Sequence, residues 1–172
     1  QIVRQLQLAD REFLIGTLSA LPLAGLLAGL LLNARHSDRS GERFAHTAFG
    51  AGLAGVALIV ALLLPAGTGV LALLVVAGFG LGAAQGVFWT VPPALGIGGE
   101  AGSVGVVPVG VVTGINMAGT AGGIVGPWML GWLLERSGNH APGIGLLAGC
   151  LLFAAVILLW GSRWNVATPG AR

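Results

Sequence analysis

The stretch that decides the fold is TAFGAGLAGVALIVALLL, from Thr47 to Leu64, which contains no charged side chain. As a helix these 18 residues would measure about 27 Å, close to the thickness of a bilayer's hydrocarbon core, about 30 Å. The stretch belongs to one of four segments that lack Asp, Glu, Lys and Arg, namely 13–34, 44–99, 101–134 and 137–162. Because each segment is long enough to cross a bilayer, the sequence predicts a multi-pass membrane protein.

The overall composition supports the same class. Only 8% of the 172 residues are charged, whereas soluble domains carry about 25%, and the mean hydropathy is +0.91. The net charge is +2, and the basic residues form no stripe interleaved with exposed aromatic residues, which argues against nucleic-acid binding. The single cysteine, Cys150, can form no disulfide within the chain and is interpreted as a packing residue.

Charged and Pro/Gly-rich segments divide the chain into five predicted transmembrane helices, so the expected fold is all-α. Pro22 is expected to kink the first span and Pro127 to interrupt the fourth. The charged stretch 34–43 is predicted to be a loop, and 94–105 a Gly-rich connection. The predicted spans are about 13–33, 47–64, 70–91, 106–134 and 143–160. The chain starts with Gln rather than Met, and we expect further sequence before it.

The distribution of arginine predicts the orientation, because cytoplasmic loops hold the excess of basic residues. With five spans, one side receives Arg35, Arg39, Arg43, Arg163 and Arg172, and the other receives Arg4, Arg11 and Arg136. This bias places the 34–46 loop and the C-terminus in the cytoplasm and residue 1 outside, in the cell inner (plasma) membrane.

Glycine, present 31 times, recurs at intervals of four residues. Residues four apart share a helix face, so such pairs predict grooves where two helix backbones approach closely. The pattern fits dense packing, and it equally fits helices that slide past one another. The pairs and stripes are Gly25/Gly29, Gly78/Gly82/Gly86, Gly110/Gly114, Gly119/Gly123, Gly122/Gly126 and Gly145/Gly149.

A few polar residues inside the spans are candidates for substrate binding. Gln85 and Trp89 share a face of the third span by their spacing, and Asn116 lies mid-span in the fourth. A polar group in hydrocarbon needs a partner or a water-filled cavity. Asn116 therefore either makes an interhelical hydrogen bond or contacts a substrate, while Trp89 either faces lipid or lines the same cavity.

The spans contain no Asp, Glu, Lys or Arg, and the sequence shows no catalytic triad, carboxylate pair or metal-ligand cluster. The Gly-rich run 96–99 lacks the Lys-Ser/Thr of a phosphate-binding loop. We therefore expect no enzyme activity, no cofactor and no metal. Any ionisable residue that couples transport to an ion must lie outside this chain.

Three motifs resemble a known family. RHSDRSGER at 35–43 is similar to the loop between helices 8 and 9 of major facilitator superfamily transporters, although Ala34 stands where that motif has its first glycine. Together with FWTVP at 88–92 and INMAGTAGGIVGPW at 115–128, it resembles the anion:cation symporter family, which includes organic-acid permeases. The motifs occur in the expected order along nearly the whole chain.

The resemblance implies that the five spans are helices 8–12 of a twelve-helix fold, most of its C-terminal half. It implies that Trp89 and Asn116 line the substrate cavity, to which helical geometry adds Gln85. It also implies that the loop bearing Asp38, Arg39, Gly41 and Arg43 is a cytoplasmic gate that latches the two halves of the carrier. The alternative is that this loop is simply a solvated, charged connection.

The expected function is proton-coupled symport of a small organic anion by alternating access. Its partners would be that anion, the proton, the lipid bilayer and a missing N-terminal half, without which this chain could not transport. Two alternatives stay open, a carrier for a neutral or drug-like solute and a non-transporting membrane scaffold, for which the glycine grooves alone would suffice.

Overall fold

The computed structural model describes residues 2–65, 67–94 and 107–166, with the side chains of 11–65, 67–93 and 107–163. The described residues form helices and no strand, which confirms the predicted all-α class. Within these ranges five helices are long and apolar enough to cross a membrane. The connection predicted at 94–105 lies almost wholly outside the described residues. The helices are α1 (Ile2–Ser40), α2 (Phe44–Leu63), α3 (Thr68–Phe88), the short α4 (Val91–Ala94), α5 (Val109–Ser137) and α6 (Ala141–Val166).

Helix α1 continues through the charged stretch that was predicted to be a loop. Residues 34–40 are helical, and the connection to α2 is only residues 41–43. The prediction of a loop starting at Ala34 was wrong because charge keeps a segment out of lipid without breaking a helix. The helix ends where Gly41 adopts a left-handed conformation, φ 70°, and its N–H donates to the carbonyl of Ser37 at 2.9 Å.

Four helices form a row in the order α1, α3, α2, α6. Along the interface between α1 and α3 the residue numbers of both helices rise in the same direction, from the contact of Pro22 with Gly78 to that of Leu30 with Gly86. These two helices are therefore parallel. Helix α2 runs antiparallel to both α3 and α6. Because α1 and α3 are parallel, their C-terminal ends lie at the same end of the helix bundle. The α1–α2 turn is therefore close to the level at which α3 ends.

The interface between α1 and α3 is built on glycine, as the four-residue spacing predicts. A Cβ placed on Gly82 would overlap the carbonyl group of Leu26, with the carbonyl carbon at 2.7 Å. One turn on, a Cβ on Gly86 would lie 2.8 Å from the carbonyl oxygen of Leu30. A Cβ on Gly29 of α1 would in turn lie 2.8 Å from the carbonyl carbon of Phe79. Only hydrogen side chains permit this separation of the two backbones.

Small residues also bring α2 close to its two neighbours. A Cβ on Gly80 would lie 2.6 Å from the backbone nitrogen of Ala54. On the other side of α2, a Cβ on Gly55 would lie 2.8 Å from Cγ of Leu152 in α6. Helix α2 is consequently the most buried of the five long helices.

Helix α5 stands apart from this row. It contains no buried residue, and its main contact is with α6. A Cβ on any of its glycines would meet no atom of the described residues within 4 Å. The helix continues through Pro127 without a break, contrary to the interruption expected there, which fits the tolerance of transmembrane helices for proline.

Candidate functional site

Two of the three predicted substrate residues lie together near the C-terminal end of α3. Gln85 is exposed in the last turn of the helix. Trp89 is 46% exposed, and its ring meets that of Phe88 edge-on, with centroids 5.4 Å apart. Because α3 ends at Phe88, Trp89 lies at the end of the helix bundle that carries the α1–α2 turn and not at the middle of the helices.

The third predicted residue, Asn116, is on α5 and is also exposed. It is in the third turn of the helix, nearer to its start than the mid-span position expected from the sequence. Its carbonyl oxygen accepts a hydrogen bond from Thr120 Oγ1 at 2.9 Å. Among the described residues its side-chain amide makes no hydrogen bond to another helix. The described contacts do not bring Asn116 to Gln85 or Trp89.

The predicted gating residues are organised around an ion pair across the α1–α2 turn. Arg43 Nη1 donates to Asp38 Oδ1 at 2.5 Å and to Ser37 Oγ at 3.2 Å. Ser37 is fully buried, and its hydroxyl donates to the carbonyl oxygen of Glu42 at 2.7 Å. Arg39 is exposed and forms no ion pair within the described part of the chain. The partner of Asp38 is therefore Arg43, with Gly41 supplying the tight turn between them.

A polar residue that sequence reasoning passed over joins three helices. Asn33 of α1 is 8% exposed, and its amide nitrogen donates to the carbonyl oxygens of His46 in α2, at 3.1 Å, and Ala83 in α3, at 2.8 Å. The sequence held one indication of this role. Asn33 is four residues after Gly29, so it continues the face of α1 on which the glycines lie.

A second overlooked group surrounds the start of α2. His36 and His46 lie in contact, and the carboxylate of Glu42 accepts the N–H of Ala45 at 2.7 Å and faces the ring of His46. Spacing alone does not reveal this contact, since the two histidines are ten residues apart on different helices. Among the described residues no cluster of three His, Cys, Asp or Glu side chains is suited to bind a metal ion.

A shallow crevice of about 170 Å³ lies where α5 meets α6. It contains none of the predicted substrate residues. Its lining is mostly apolar and consists of Leu130, Asn139, His140, Gly143, Ile144 and Leu147.

Comparison with known proteins identifies the class of relatives. The chain is 32% identical over 163 residues to a protein named putative tartrate transporter from Agrobacterium vitis, covering 95% of this chain and 36% of that protein. A second protein of that name and organism is 32% identical over 159 residues, covering 92% of this chain and 33% of the relative. A quinolone resistance transporter from Acinetobacter baumannii is 34% identical over 143 residues, covering 83% of this chain and 31% of the relative.

No family model and no solved structure matches the chain. The chain spans about a third of the length of the curated relatives it matches. All three are named as transporters rather than enzymes, in agreement with the non-enzymatic role expected from the sequence. With its five apolar helices, the chain is a multi-pass membrane protein related to transporters.

Proposed function

We propose that this chain forms five spans of a secondary active transporter that carries a small organic anion by alternating access, with a proton as the coupling ion. The observation that carries the proposal is the similarity to two putative tartrate transporters along 95% and 92% of the chain. Tartrate is a small dicarboxylate, which agrees in chemical class with the organic-acid permeases that the sequence motifs resemble.

In this proposal the chain belongs to the major facilitator superfamily, and its long helices are helices 8–12 of twelve. The protein lies in the inner membrane with the α1–α2 turn in the cytoplasm and residue 1 outside. The first half of the carrier and the coupling carboxylates lie in sequence beyond this chain. The exposed surface of α5 and the exposed part of α1 from Arg11 to Ala20 offer room for those further helices.

The proposed substrate contacts are Gln85, Trp89 and Asn116. Their support is exposure combined with position, because Gln85 and Asn116 are exposed on spanning helices and Trp89 is exposed directly after the end of α3. The side-chain amides of Gln85 and Asn116 hydrogen-bond to nothing in the described residues, which leaves them free to bind a carboxylate. Asp38, Arg39, Gly41 and Arg43 form the proposed gate, in which the Asp38–Arg43 pair holds the turn in one shape.

A second candidate substrate class is supported by the similarity to the quinolone resistance transporter over 83% of the chain. A carrier of that kind would export a drug-like, largely aromatic solute. Trp89 suits such a substrate through ring stacking, whereas Asn116 suits either substrate through its amide.

Uptake by the whole carrier reconstituted in proteoliposomes distinguishes the two. Under an inward-directed proton gradient we expect radiolabelled tartrate to accumulate. Asn116→Ala should abolish uptake at normal membrane abundance. The control Met117→Ala, which shortens the exposed neighbouring side chain on another face of α5, should leave uptake unchanged.

Movement of a fluoroquinolone without tartrate would replace the first candidate by the second. If neither solute is transported, the assigned function is contradicted. If Asn116→Ala leaves uptake unchanged, the assigned cavity is contradicted. Proteoliposomes containing these 172 residues alone are expected to show no uptake.

A further inference from the structure

His36 of α1 and His46 of α2 face each other across the turn between the two helices. Nδ1 of His36 lies 2.6 Å from Nε2 of His46, and the ring centroids are 4.9 Å apart. Two ring nitrogens at this separation leave room for one hydrogen between them. One ring must donate it and the other must accept it.

Glu42 indicates which ring is the acceptor. Its Oε2 atom lies 3.5 Å from Nδ1 of His46, on the far side of that ring from His36. The carboxylate favours a hydrogen on Nδ1 of His46, which leaves Nε2 with a free lone pair. Nδ1 of His36 is then the donor, so the hydrogen bonds run from His36 to His46 and from His46 to Glu42.

We propose that His36 and His46 form a proton-binding clasp that joins the end of α1 to the start of α2. In the neutral pair a single N–H···N bond connects the rings. A first proton binds at Nε2 of His36, the ring nitrogen of the pair whose lone pair is still free, and it leaves the N–H···N bond in place and makes it charge-assisted. A second proton puts hydrogens on both facing nitrogens, so two cations meet at a hydrogen-bonding distance and the clasp opens.

The other charged groups around the pair leave Glu42 as its counter-charge. On α1 the neighbouring groups are Arg35, Asp38 and Arg39, and Asp38 is already paired with Arg43 of the turn. Helix α3 has no ionisable residue. The only charged side chain described on α6 is Arg163.

Opening the clasp changes how α1 and α2 are joined. The three-residue connection and several polar contacts then still join the two helices. They include the contacts of Arg43 with Ser37 and Asp38, the Ser37 hydroxyl on Glu42, and the Asn33 bridge to the carbonyl of His46. Since histidine changes charge between about pH 5 and 8, the clasp responds to the acidity of the compartment that bathes the turn. The inference depends on this geometry alone and does not require the proposed transport function.

The test is ¹⁵N NMR of the full chain labelled at histidine, in detergent micelles, followed from about pH 8 down to about pH 5. At the upper pH we expect a nitrogen–nitrogen coupling through the shared hydrogen, which His36→Gln and His46→Gln each remove. At the lower pH the coupling should be lost. The matched control is His140→Gln, which replaces the histidine of the α5–α6 turn and should leave the coupling intact.

A second variant keeps the test decisive if a histidine replacement disturbs folding. Glu42→Gln retains an acceptor for the Ala45 N–H and removes the charge that faces His46, so it should weaken the coupling while the helix start persists. Persistence of the coupling at the lower pH would overturn the proposal. So would a His46 titration curve that is the same with and without His36.

Discussion

The α1–α3 interface and α5 differ in what meets their glycines. Both α3 and α5 carry glycines four residues apart. In α3 each member of the Gly78, Gly82 and Gly86 stripe lies against a backbone carbonyl of α1, whereas the glycines of α5 have no atom of the described part of the chain within 4 Å of a Cβ built on them. The spacing marks a face on which a helix can pack closely, and a partner with a matching surface decides whether it does so.

The largest expected effect is at the packed stripe. Gly82→Ala places a methyl group against the carbonyl of Leu26, and because a backbone cannot rotate away, the two helices must separate. We expect a loss of stability at the upper end of the about 1–3 kcal/mol that overpacking costs. Thermal unfolding of the detergent-solubilised chain measures it, and an unchanged midpoint would contradict the close approach of α1 and α3.

The Asn33 bridge should give the next largest effect. Asn33→Ala removes two hydrogen bonds and leaves a small void at the meeting point of three helices, for an expected cost of about 1–2 kcal/mol. Asn116→Ala is the comparison on α5, where the amide makes no hydrogen bond to a described residue, and this variant should lose no stability. Both are measured by the same unfolding experiment, and equal losses in the two variants would refute the assignment of the bridge.

On α5 we expect a glycine substitution to raise the stability and not to lower it. Gly122→Ala adds a methyl group where no described residue lies within 4 Å, and alanine favours a helix over glycine by about 0.5–1 kcal/mol. The isolated chain should therefore become more stable, in contrast to Gly82→Ala. If the same substitution in the whole carrier lowers stability, a further helix packs on this face of α5.

The smallest effect is expected at the turn. Arg43→Gln breaks the pair with Asp38, whose side chain is 67% exposed, so solvent screening limits the loss to about 0.5 kcal/mol or less. The loss should vanish at high salt. Arg39→Gln, which removes an exposed arginine without an ion pair in the described residues, should cost less at low salt. Equal effects of the two variants would mean that the pair contributes no specific stability.

Much of the fold follows from local patterns that survive into the structure. The number of long helices follows from four charge-free segments and the breaks within them, and the close contact of Gly25 and Gly29 with α3 follows from their shared helix face. The end of α1 did not follow from charge, because a helix can extend into water until a residue such as Gly41 turns the chain. Asn33 was missed because an amide at the edge of a span looks the same whether it faces water or a neighbouring helix.

The candidate site was only partly accessible to sequence reasoning. The spacing of Gln85 and Trp89 predicted one shared helix, but α3 contains Gln85 and ends at Phe88, so Trp89 caps the helix as the next residue. Their predicted association with Asn116 stays a prediction, because the described contacts do not join α3 to α5 at these residues. The contact between His36 and His46 could not be read from spacing, since it depends on how two helices meet at a turn.

The sequence by itself determined that this chain is a set of membrane-spanning helices, because long segments without charge cannot satisfy their backbone groups in lipid in any other open-chain form. It also determined which helix faces are smooth enough for close packing. Only the tertiary structure decided which of those faces are used, that α3 lies between α1 and α2, and which side chains meet at the turn. Those choices depend on the complementarity of two surfaces distant in sequence, which no local pattern encodes.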